Sequence, residues 1–183
     1  MTSRKKSIWG NMITVLVVGK TGYEHKLDLC MVARAFGASS ITFSPDDKES
    51  SKRLERACKA LRRDWGGVFA VSSTNNWKGF MKDKKNYLKV YLTRYGIPVK
   101  KLGYQIRTYK NVLVVVSIKE SVKQLYKAAD FNMSITTQPH SCASAIAVFL
   151  HSFYDGRELA MHFENARYRI TPDDHGIRIQ KEK

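Results

Sequence analysis

The chain has 183 residues, and its 32 Lys and Arg against 16 Asp and Glu give a formal net charge of +16. Because 43% of the residues are hydrophobic and 11% are aromatic, the chain can bury a core, which excludes a disordered tail. The charge favours a polyanionic partner, whereas a membrane protein is not expected because no apolar run approaches the roughly 20 residues that cross a bilayer.

Short β-branched runs alternate with helical patterns along the chain, which is typical of an α/β protein with a mainly parallel sheet. The predicted strands cover 12–18, 40–44, 67–71, 88–92, 111–117 and 131–135. The predicted helices cover 24–36, 50–64, 76–81, 121–129 and 141–153. The run "NVLVVVS" at 111–117 is apolar almost throughout, which predicts a strand that is buried on both faces. We therefore predict one domain over 11–172, with basic extensions at 1–10 and 173–183.

The three cysteines, Cys30, Cys58 and Cys142, have a spacing that fits neither a disulfide framework nor a metal site. An odd number of distant cysteines is typical of buried, reduced thiols. We therefore expect a cytoplasmic protein without a metal site.

The predicted helix at 50–64 has a one-sided charge. When "SKRLERACKALRRDW" (51–65) is wound at about 100° per residue, its apolar residues fall on one side and six cations spread over the other. Only Glu55 and Asp64 offset these cations. A solvated surface is the simplest interpretation, but an anionic neighbour would relieve the repulsion better.

Residues 78–110 show the same imbalance more strongly, with ten Lys or Arg against Asp83 alone and six aromatic residues among them. Cations neutralise phosphates, and aromatic rings offer stacking surfaces to unpaired bases. Some of these rings must belong to the core, since Tyr91 alternates within a strand. The candidate RNA-binding residues are the basic residues of the N-terminus, the helix and this segment: Arg4, Lys5, Lys6, Arg53, Arg56, Lys59, Arg62, Arg63, Lys78, Lys82, Lys84, Lys85, Lys89, Arg94, Lys100, Lys101, Arg107 and Lys110.

The stretch "SITTQPHSCASAIAVFLHSF" (134–153) joins a polar loop to a helix without Asp, Glu, Lys or Arg. Such a helix must be buried, and its N-terminus supplies backbone N–H groups suited to an anion or the polar edge of a ligand. His140 and Ser141 lie where the loop meets the helix. They could serve a ligand, or they could pack and cap the helix.

Six motifs occur along the chain in a fixed order: "VARAFGA" (32–38), "WGGVF" (65–69), "NW" (76–77), "YLTRYG" (91–96), "YKAADFN" (126–132) and "QPHS" (138–141). Together they resemble an archaeal family of tRNA ribose methyltransferases, which modify a T-loop cytidine at the 2′-oxygen and belong to the SPOUT superfamily. The resemblance covers about residues 13–172. It implies a SPOUT-type parallel sheet with helices on both faces and a C-terminal trefoil knot that binds S-adenosylmethionine, usually in a homodimer.

The chain departs from the family's pattern at the loops that the resemblance assigns to the cofactor. The family usually has Gly-Ala-Glu-Lys-Val-Pro where this chain has residues 117–122, and Ile-Gly-Asn where it has residues 135–137. Side chains would then enter space that glycine leaves open, and Lys119 would reverse a charge. We expect a degenerate cofactor site at the corresponding positions: Ser117, Lys119, Ile135, Thr136, Gln138 and Ser141.

The N-terminal motif of the family, a Gly-His-Arg-Pro-Glu-Arg-like stretch, is also altered, and this chain reads "GKTGYEHKLDL" at 19–29. A ribose methyltransferase needs a base or a charge-stabilising group near the 2′-hydroxyl. If the chain is active, the candidates for this role are Lys20, His25, His140 and Ser141.

These departures favour a protein that is not an enzyme and needs no cofactor. On this hypothesis it is a catalytically degenerate homologue that binds ribosomal RNA and contacts ribosomal proteins. The alternative is an active S-adenosylmethionine-dependent tRNA cytidine 2′-O-methyltransferase, because backbone groups do much of the cofactor recognition in knotted folds. A homodimer through the helix at 141–153 is compatible with both hypotheses.

Overall fold

The fold was obtained as a computed structural model, which describes residues 10–119 and 122–182. The candidate RNA-binding residues Arg4, Lys5 and Lys6 lie outside the described residues. The strands are β1 (Met12–Val18), β2 (Ser40–Ser44), β3 (Ala70–Ser73), β4 (Leu88–Pro98), β5 (Asn111–Ser117), β6 (Phe131–Ser134), β7 (Tyr168–Thr171) and β8 (Arg178–Lys181). The helices are α1 (Tyr23–Ala35), α2 (Lys48–Trp65), α3 (Trp77–Asp83), α4 (Val99–Arg107), α5 (Lys123–Ala128) and α6 (Cys142–Tyr154), followed by a 3₁₀ turn at Arg157–Ala160.

Six strands form one parallel sheet in the order β3-β2-β1-β5-β4-β6. The central strands β1 and β5 pair along their whole length, from Met12 with Asn111 to Val18 with Ser117. Both strands are β-branched and almost wholly buried, as expected for strands covered on both faces. The predicted α/β class with a parallel sheet and helices on both faces is confirmed. The trefoil knot stays a prediction from the resemblance.

The two faces of the sheet have separate apolar cores. One face packs against α1, α2, α4 and α6, with Val15, Val114 and Phe149 fully buried. The other face packs against α3 and α5 and buries Leu16, Tyr91 and Leu125. Because α6 packs between α1 and α4, its uncharged sequence covers the sheet rather than facing water.

Three parts of the fold differ from the sequence-based prediction. The third strand begins at Ala70 rather than residue 67, because Gly66 and Gly67 adopt positive φ angles and form a turn. The helix α4 was not predicted; among the side chains that the structure describes in it, Val99 and Ile106 are the buried ones, seven residues apart. The antiparallel hairpin β7–β8 was not predicted either, and it spans the expected domain boundary at 172/173.

All three cysteines are free, with Cys30 and Cys58 buried and Cys142 half-buried. Within the described residues, none of the helices has the length and apolar character required to pass through a bilayer.

Candidate active site

A cleft opens beside the carboxyl end of β5 and the middle of β4, just beyond the last pair between these strands, Tyr91 with Val115, where the loop after β6 crosses towards α6. Ligands of open parallel sheets bind at this edge, because neighbouring strands end there and their loops diverge. The cleft encloses about 470 Å³ of empty space, including the part open to solvent. Its lining residues come from three segments of the chain: Tyr91, Leu92, Thr93, Arg94, Tyr95, Val116, Ser117, Pro139, His140, Ser141, Cys142 and Ala145.

One wall of the cleft is fixed by hydrogen bonds between hydroxyl groups. Ser117 Oγ donates to the carbonyl oxygen of Lys119 at 2.7 Å, so the Tyr91 hydroxyl donates to Ser117 Oγ at 2.8 Å. Tyr91 also meets the ring of Tyr126 edge to face, with centroids 5.2 Å apart. Burial raises the pKa of the Tyr91 hydroxyl above its ordinary value. Tyr91 is therefore a neutral donor that orients Ser117 in the wall.

The loop after β6 places His140 in the cleft in a defined orientation. The side-chain Nδ1 of His140 lies 2.7 Å from the carbonyl oxygen of Gln138. Because a carbonyl can only accept, this contact requires a proton on Nδ1, and the neutral ring then carries its lone pair on Nε2. His140 can thus accept a proton from a ligand in the cleft.

The end of the cleft is formed by the first residues of α6. Ser141 is the N-cap, and its Oγ accepts from the backbone N–H of Ser144 at 3.1 Å. Burial raises the pKa of the Cys142 thiol, whose sulfur lies 3.5 Å from the carbonyl oxygen of Ser117. Because the Oγ of Ser141 accepts the N–H of Ser144, this side chain caps α6 although it also lines the cleft.

The predicted cofactor residues divide into two groups in the structure. Ser117 and Ser141 line the cleft, whereas Lys119, Thr136 and Gln138 have exposed side chains that do not line it. Ile135 is half-buried against the core. The substitutions that suggested a blocked site therefore lie mostly outside the cleft.

Ile118 also lies outside the cleft. Its side chain packs beside Gly19 at the end of β1, where a Cβ on Gly19 would be 3.0 Å from the Cβ of Ile118.

The predicted catalytic residues are likewise separated. His140 lines the cleft, but Lys20 and His25 follow β1 and do not line it. His25 Nδ1 is 2.8 Å from Thr21 Oγ1 within the same turn of chain.

The basic residues of the sequence lie on several faces of the molecule. Arg56 and Lys59 are exposed on α2, and Lys100 and Lys101 are exposed on α4. Arg53 stacks on the ring of Tyr23, with its guanidinium carbon 3.9 Å from the centroid. The remaining candidates among the described residues are exposed or half-buried: Arg62, Arg63, Lys78, Lys82, Lys84, Lys85, Lys89, Arg94, Arg107 and Lys110.

Arg107 is partly engaged within the fold. It donates to the carbonyl oxygen of Ser152 at 3.0 Å and pairs with Asp155 at 2.9 Å.

Sequence reasoning missed the β4 side of the cleft, formed by Tyr91 to Tyr95. The motif "YLTRYG" supported the resemblance, but β4 was predicted to end at residue 92, and these residues were not assigned to the cofactor site, although Arg94 was a candidate for RNA binding. The available signal was the short spacing of hydroxyl, cationic and aromatic residues where the buried part of the strand ends.

The donor set of the cleft fits S-adenosylmethionine, the cofactor that the resemblance implies. Leu92, Val116 and Ala145, all buried in the absence of a ligand, are the apolar part of the lining, and the cleft also presents hydroxyl groups.

Comparisons with known proteins identify a family and several relatives to which the chain is similar. Residues 65–180 match the family described as "tRNA ribose 2′-O-methyltransferase, aTrm56". A tRNA (cytidine(56)-2′-O)-methyltransferase of Methanopyrus kandleri is 34% identical over 173 residues, which cover 90% of this chain and 96% of that protein. The protein of the same name from Picrophilus torridus is 39% identical over 168 residues, and the match spans 90% of this chain but only 48% of that protein.

Solved structures show the same fold. The SpoU methyltransferase AviRb from Streptomyces viridochromogenes, determined in complex with the cofactor AdoMet, superposes with a TM-score of 0.57 at 16% sequence identity. The superposition covers 80% of this chain and 61% of AviRb.

These matches overturn the expectation of a catalytically degenerate, non-enzymatic protein that binds ribosomal RNA and contacts ribosomal proteins. The relatives are named as tRNA-modifying enzymes, so that hypothesis is wrong, and the expectation that no cofactor binds has lost its support. The physical reason for the error is that a missing glycine in a loop predicts a filled pocket only if the new side chain points into it. Of the two residues at the missing glycines, Thr136 is exposed, and Ser117 lines the cleft with its hydroxyl hydrogen-bonded into the wall. Beside them, Ile118 packs against Gly19, and Lys119 is exposed.

Proposed function

This chain belongs to the tRNA ribose 2′-O-methyltransferase family, and we propose that it methylates a ribose 2′-oxygen of tRNA. The target would be a T-loop cytidine, which is the activity that the sequence analysis gave as its alternative hypothesis. The observation that carries the proposal is the match along nearly the full length of the Methanopyrus kandleri relative. The cleft supports it, since it lies at the ligand-binding edge of the sheet and contains a side chain that can accept a proton.

In this proposal the wall residues of the cleft bind the cofactor, and His140 transfers a proton. When bound, S-adenosylmethionine supplies an electrophilic methyl group. Leu92, Val116 and Ala145 would hold the apolar part of the cofactor, and the Tyr91–Ser117 pair would keep that wall in place. His140 Nε2 accepts the proton of the ribose 2′-hydroxyl, so that the oxygen can attack as a stronger nucleophile. The hydrogen bond from Nδ1 to Gln138 holds the ring in the tautomer that this step requires.

The RNA partner follows from charge as well as from family. The net charge of +16 favours a polyphosphate, and exposed cations on α2 and α4 can neutralise phosphates outside the cleft. A cytidine in tRNA is the target that the names of the relatives indicate. We also propose a homodimer through the exposed side of α6, as family members usually form.

The test is methyl transfer from radiolabelled S-adenosylmethionine to transcribed tRNA, followed by mapping of the modified nucleotide. The substitution His140→Gln removes the proton acceptor but keeps a polar side chain. We expect kcat to fall by about 10²- to 10⁴-fold, the usual contribution of a general base, with little change in the cofactor dissociation constant measured by calorimetry.

The matched control is His175→Gln, which alters an exposed histidine in the β7–β8 connection. It should leave kcat unchanged. A wild-type chain that neither binds S-adenosylmethionine nor methylates tRNA would refute the proposed function. A normal kcat in the His140 variant would leave the function intact and remove His140 as the base.

A further inference from the structure

A second cavity lies on the other face of the sheet, between α3, β4 and α5. It encloses about 560 Å³ of empty space, including the part open to solvent. Met81, which is buried, belongs to its lining, and the other lining residues combine one large aromatic ring, three lysines, an amide and a small residue: Trp77, Lys78, Lys82, Lys89, Gln124 and Ala128. We call it the lysine cavity.

The lining of the lysine cavity is mostly apolar, but the segments that form it are strongly cationic. The segments that form it, 77–89 and 123–130, contain seven lysines and only two acidic residues, Asp83 and Asp130. Asp83 is exposed on α3, and Asp130 lies 4.0 Å from the ammonium of Lys89, near the limit of an ion pair. Asp130 also accepts the backbone N–H of Lys89 at 2.7 Å. The acidic groups on the surrounding elements therefore offset only a small part of the charge, and an anionic ligand is favoured.

The aromatic residue of the cavity is held in place by the helix that carries it. Trp77 is the first residue of α3, and Asn76 caps this helix by accepting the N–H of Gly79 at 2.9 Å. Lys78 and Lys82 are four residues apart, so they lie on the same side of α3. The ammonium of Lys78 is 5.6 Å from the centroid of the Trp77 ring. A half-buried indole beside ammonium groups matches a ligand that has both a flat ring and a phosphate.

The lysine cavity is a neighbour of the methyl-transfer cleft but is distinct from it. Lys89 precedes Tyr91 by two residues on β4, which is about 7 Å along a strand. The two spaces are linked through one ring contact: Tyr91 lines the cleft and meets the ring of Tyr126, and Gln124 and Ala128, two residues before and after Tyr126, line the cavity. One RNA molecule can reach both.

We propose that the lysine cavity binds one unpaired nucleotide of the RNA substrate, with its base against Trp77 and its phosphates beside Lys78, Lys82 and Lys89. This inference rests on the proposed function in so far as the ligand is RNA. The amide of Gln124 offers a donor and an acceptor to the edge of the base. The site would hold the RNA at a second point while another nucleotide enters the cleft.

Tryptophan fluorescence gives a direct test in the full-length chain. The protein has three tryptophans, so Trp9→Phe with Trp65→Phe leaves Trp77 as the only one. A single-stranded RNA oligonucleotide should quench the emission of Trp77. An abasic oligonucleotide of the same length should bind more weakly and not quench. Equal quenching by the abasic strand or by oligoglutamate would overturn the proposal, because the cavity would then select charge alone or an acidic peptide.

Affinity measurements provide a second test, which does not require the chain that carries Trp9→Phe and Trp65→Phe. Trp77→Ala should weaken binding of the single-stranded oligonucleotide by about 5-fold or more, the lower end of one base–aromatic stacking contact, and Trp77→Phe should largely restore it. Lys78→Gln with Lys82→Gln should weaken binding more than Lys20→Gln with Lys48→Gln, which removes the same charge from exposed positions outside the cavity lining. If the two lysine pairs have equal effects, no site exists in the cavity.

The two proposals can fail separately. Calorimetry with S-adenosylmethionine should give the same dissociation constant for the Trp77 variants as for the wild-type chain. A chain that binds the cofactor and methylates tRNA, but whose Trp77→Ala variant binds RNA normally, would refute the lysine cavity alone.

Discussion

Asp47 shows how a single carboxylate joins two elements of the fold. It is the N-cap of α2, where it accepts the N–H of Ser50, and its other oxygen lies 3.3 Å from the ammonium of Lys26 on α1. The side chain of Lys26 is only 5% exposed. Hydrogen bonds from the side chain and backbone of Ser50, with Lys26, lower the pKa of Asp47 to about 2.

The pH dependence of stability follows from this shift. The folded-state pKa of Asp47 lies below the value of about 3.9 in an unfolded chain, so its stabilising contribution is present above about pH 4 and is lost as the pH falls towards 2. The substitution Asp47→Asn keeps a capping side chain but removes the charge. We expect it to lower the free energy of unfolding at pH 7 and to flatten its decline between pH 4 and 2, as measured by urea denaturation.

The exposed Asp28 provides the control for this prediction. Asp28→Asn removes the same charge. Among the contacts that the structure describes, Asp28 makes no capping hydrogen bond and has no buried ionic partner. If both variants changed the pH profile equally, the effect would come from net charge and not from the bonds of Asp47.

At the scale of elements, the end of α2 is fixed by a segment far away in sequence. Gly66 follows the helix with φ +72° and ψ −166°, a region that is essentially restricted to glycine. A Cβ at this position would lie 2.5 Å from the carbonyl oxygen of Glu164. Gly67 donates its N–H to the same carbonyl at 2.8 Å. The chain at 164–166 therefore packs directly on this turn.

We predict that Gly66→Ala destabilises the protein, because it adds both backbone strain and a clash with backbone atoms. The strain alone costs about 1–3 kcal/mol. Thermal or urea unfolding measures the change. Gly176→Ala is the matched control, since no atom lies within 4 Å of a Cβ there, and it should change stability by no more than about 0.5 kcal/mol. Similar losses in both variants would show that packing against Glu164 is not the cause.

The boundaries of elements could be predicted where burial is complete. β1, β2 and β5 begin and end at the predicted residues. Each is a short run rich in β-branched residues, and such a run can be recognised as a buried strand from the local sequence alone. The start of β3 was wrong because contacts with residues 163–166 shape the Gly66–Gly67 turn. The β7–β8 hairpin could not be found from apolar alternation, since all four residues of β8 are exposed.

At the scale of the whole molecule, α6 is a candidate dimer contact. It carries no Asp, Glu, Lys or Arg, and it packs one side into the core, yet Val148 remains 42% exposed on the other. The exposed side of α6 also carries His151, which lies 2.6 Å from Glu158, but it has no Lys or Arg, so on a protein of charge +16 it is a place where two copies can approach with little repulsion.

We predict that Val148→Glu shifts the protein from dimer to monomer in light scattering coupled to size exclusion, because the carboxylate would be buried without a partner. The control is Ile177→Glu, which adds the same charge at a side chain that is 89% exposed in the β7–β8 connection. A monomeric wild-type chain, or a dimer that only the Ile177 variant dissociates, would contradict an interface at α6.

The sequence by itself determined the α/β class, the central strands, the buried uncharged helix and the family, because these depend on local patterns and on the order of motifs. Only the tertiary structure decided which side chains form the cleft. The pairing of β4 with β5 brings Tyr91 to Ser117, 26 residues away, and the loop after β6 adds His140 to the same space. It also placed Ile118 against Gly19 and left Lys119 exposed. The direction of a loop side chain is set by its neighbours in space, and a missing motif residue therefore does not show that a site is lost.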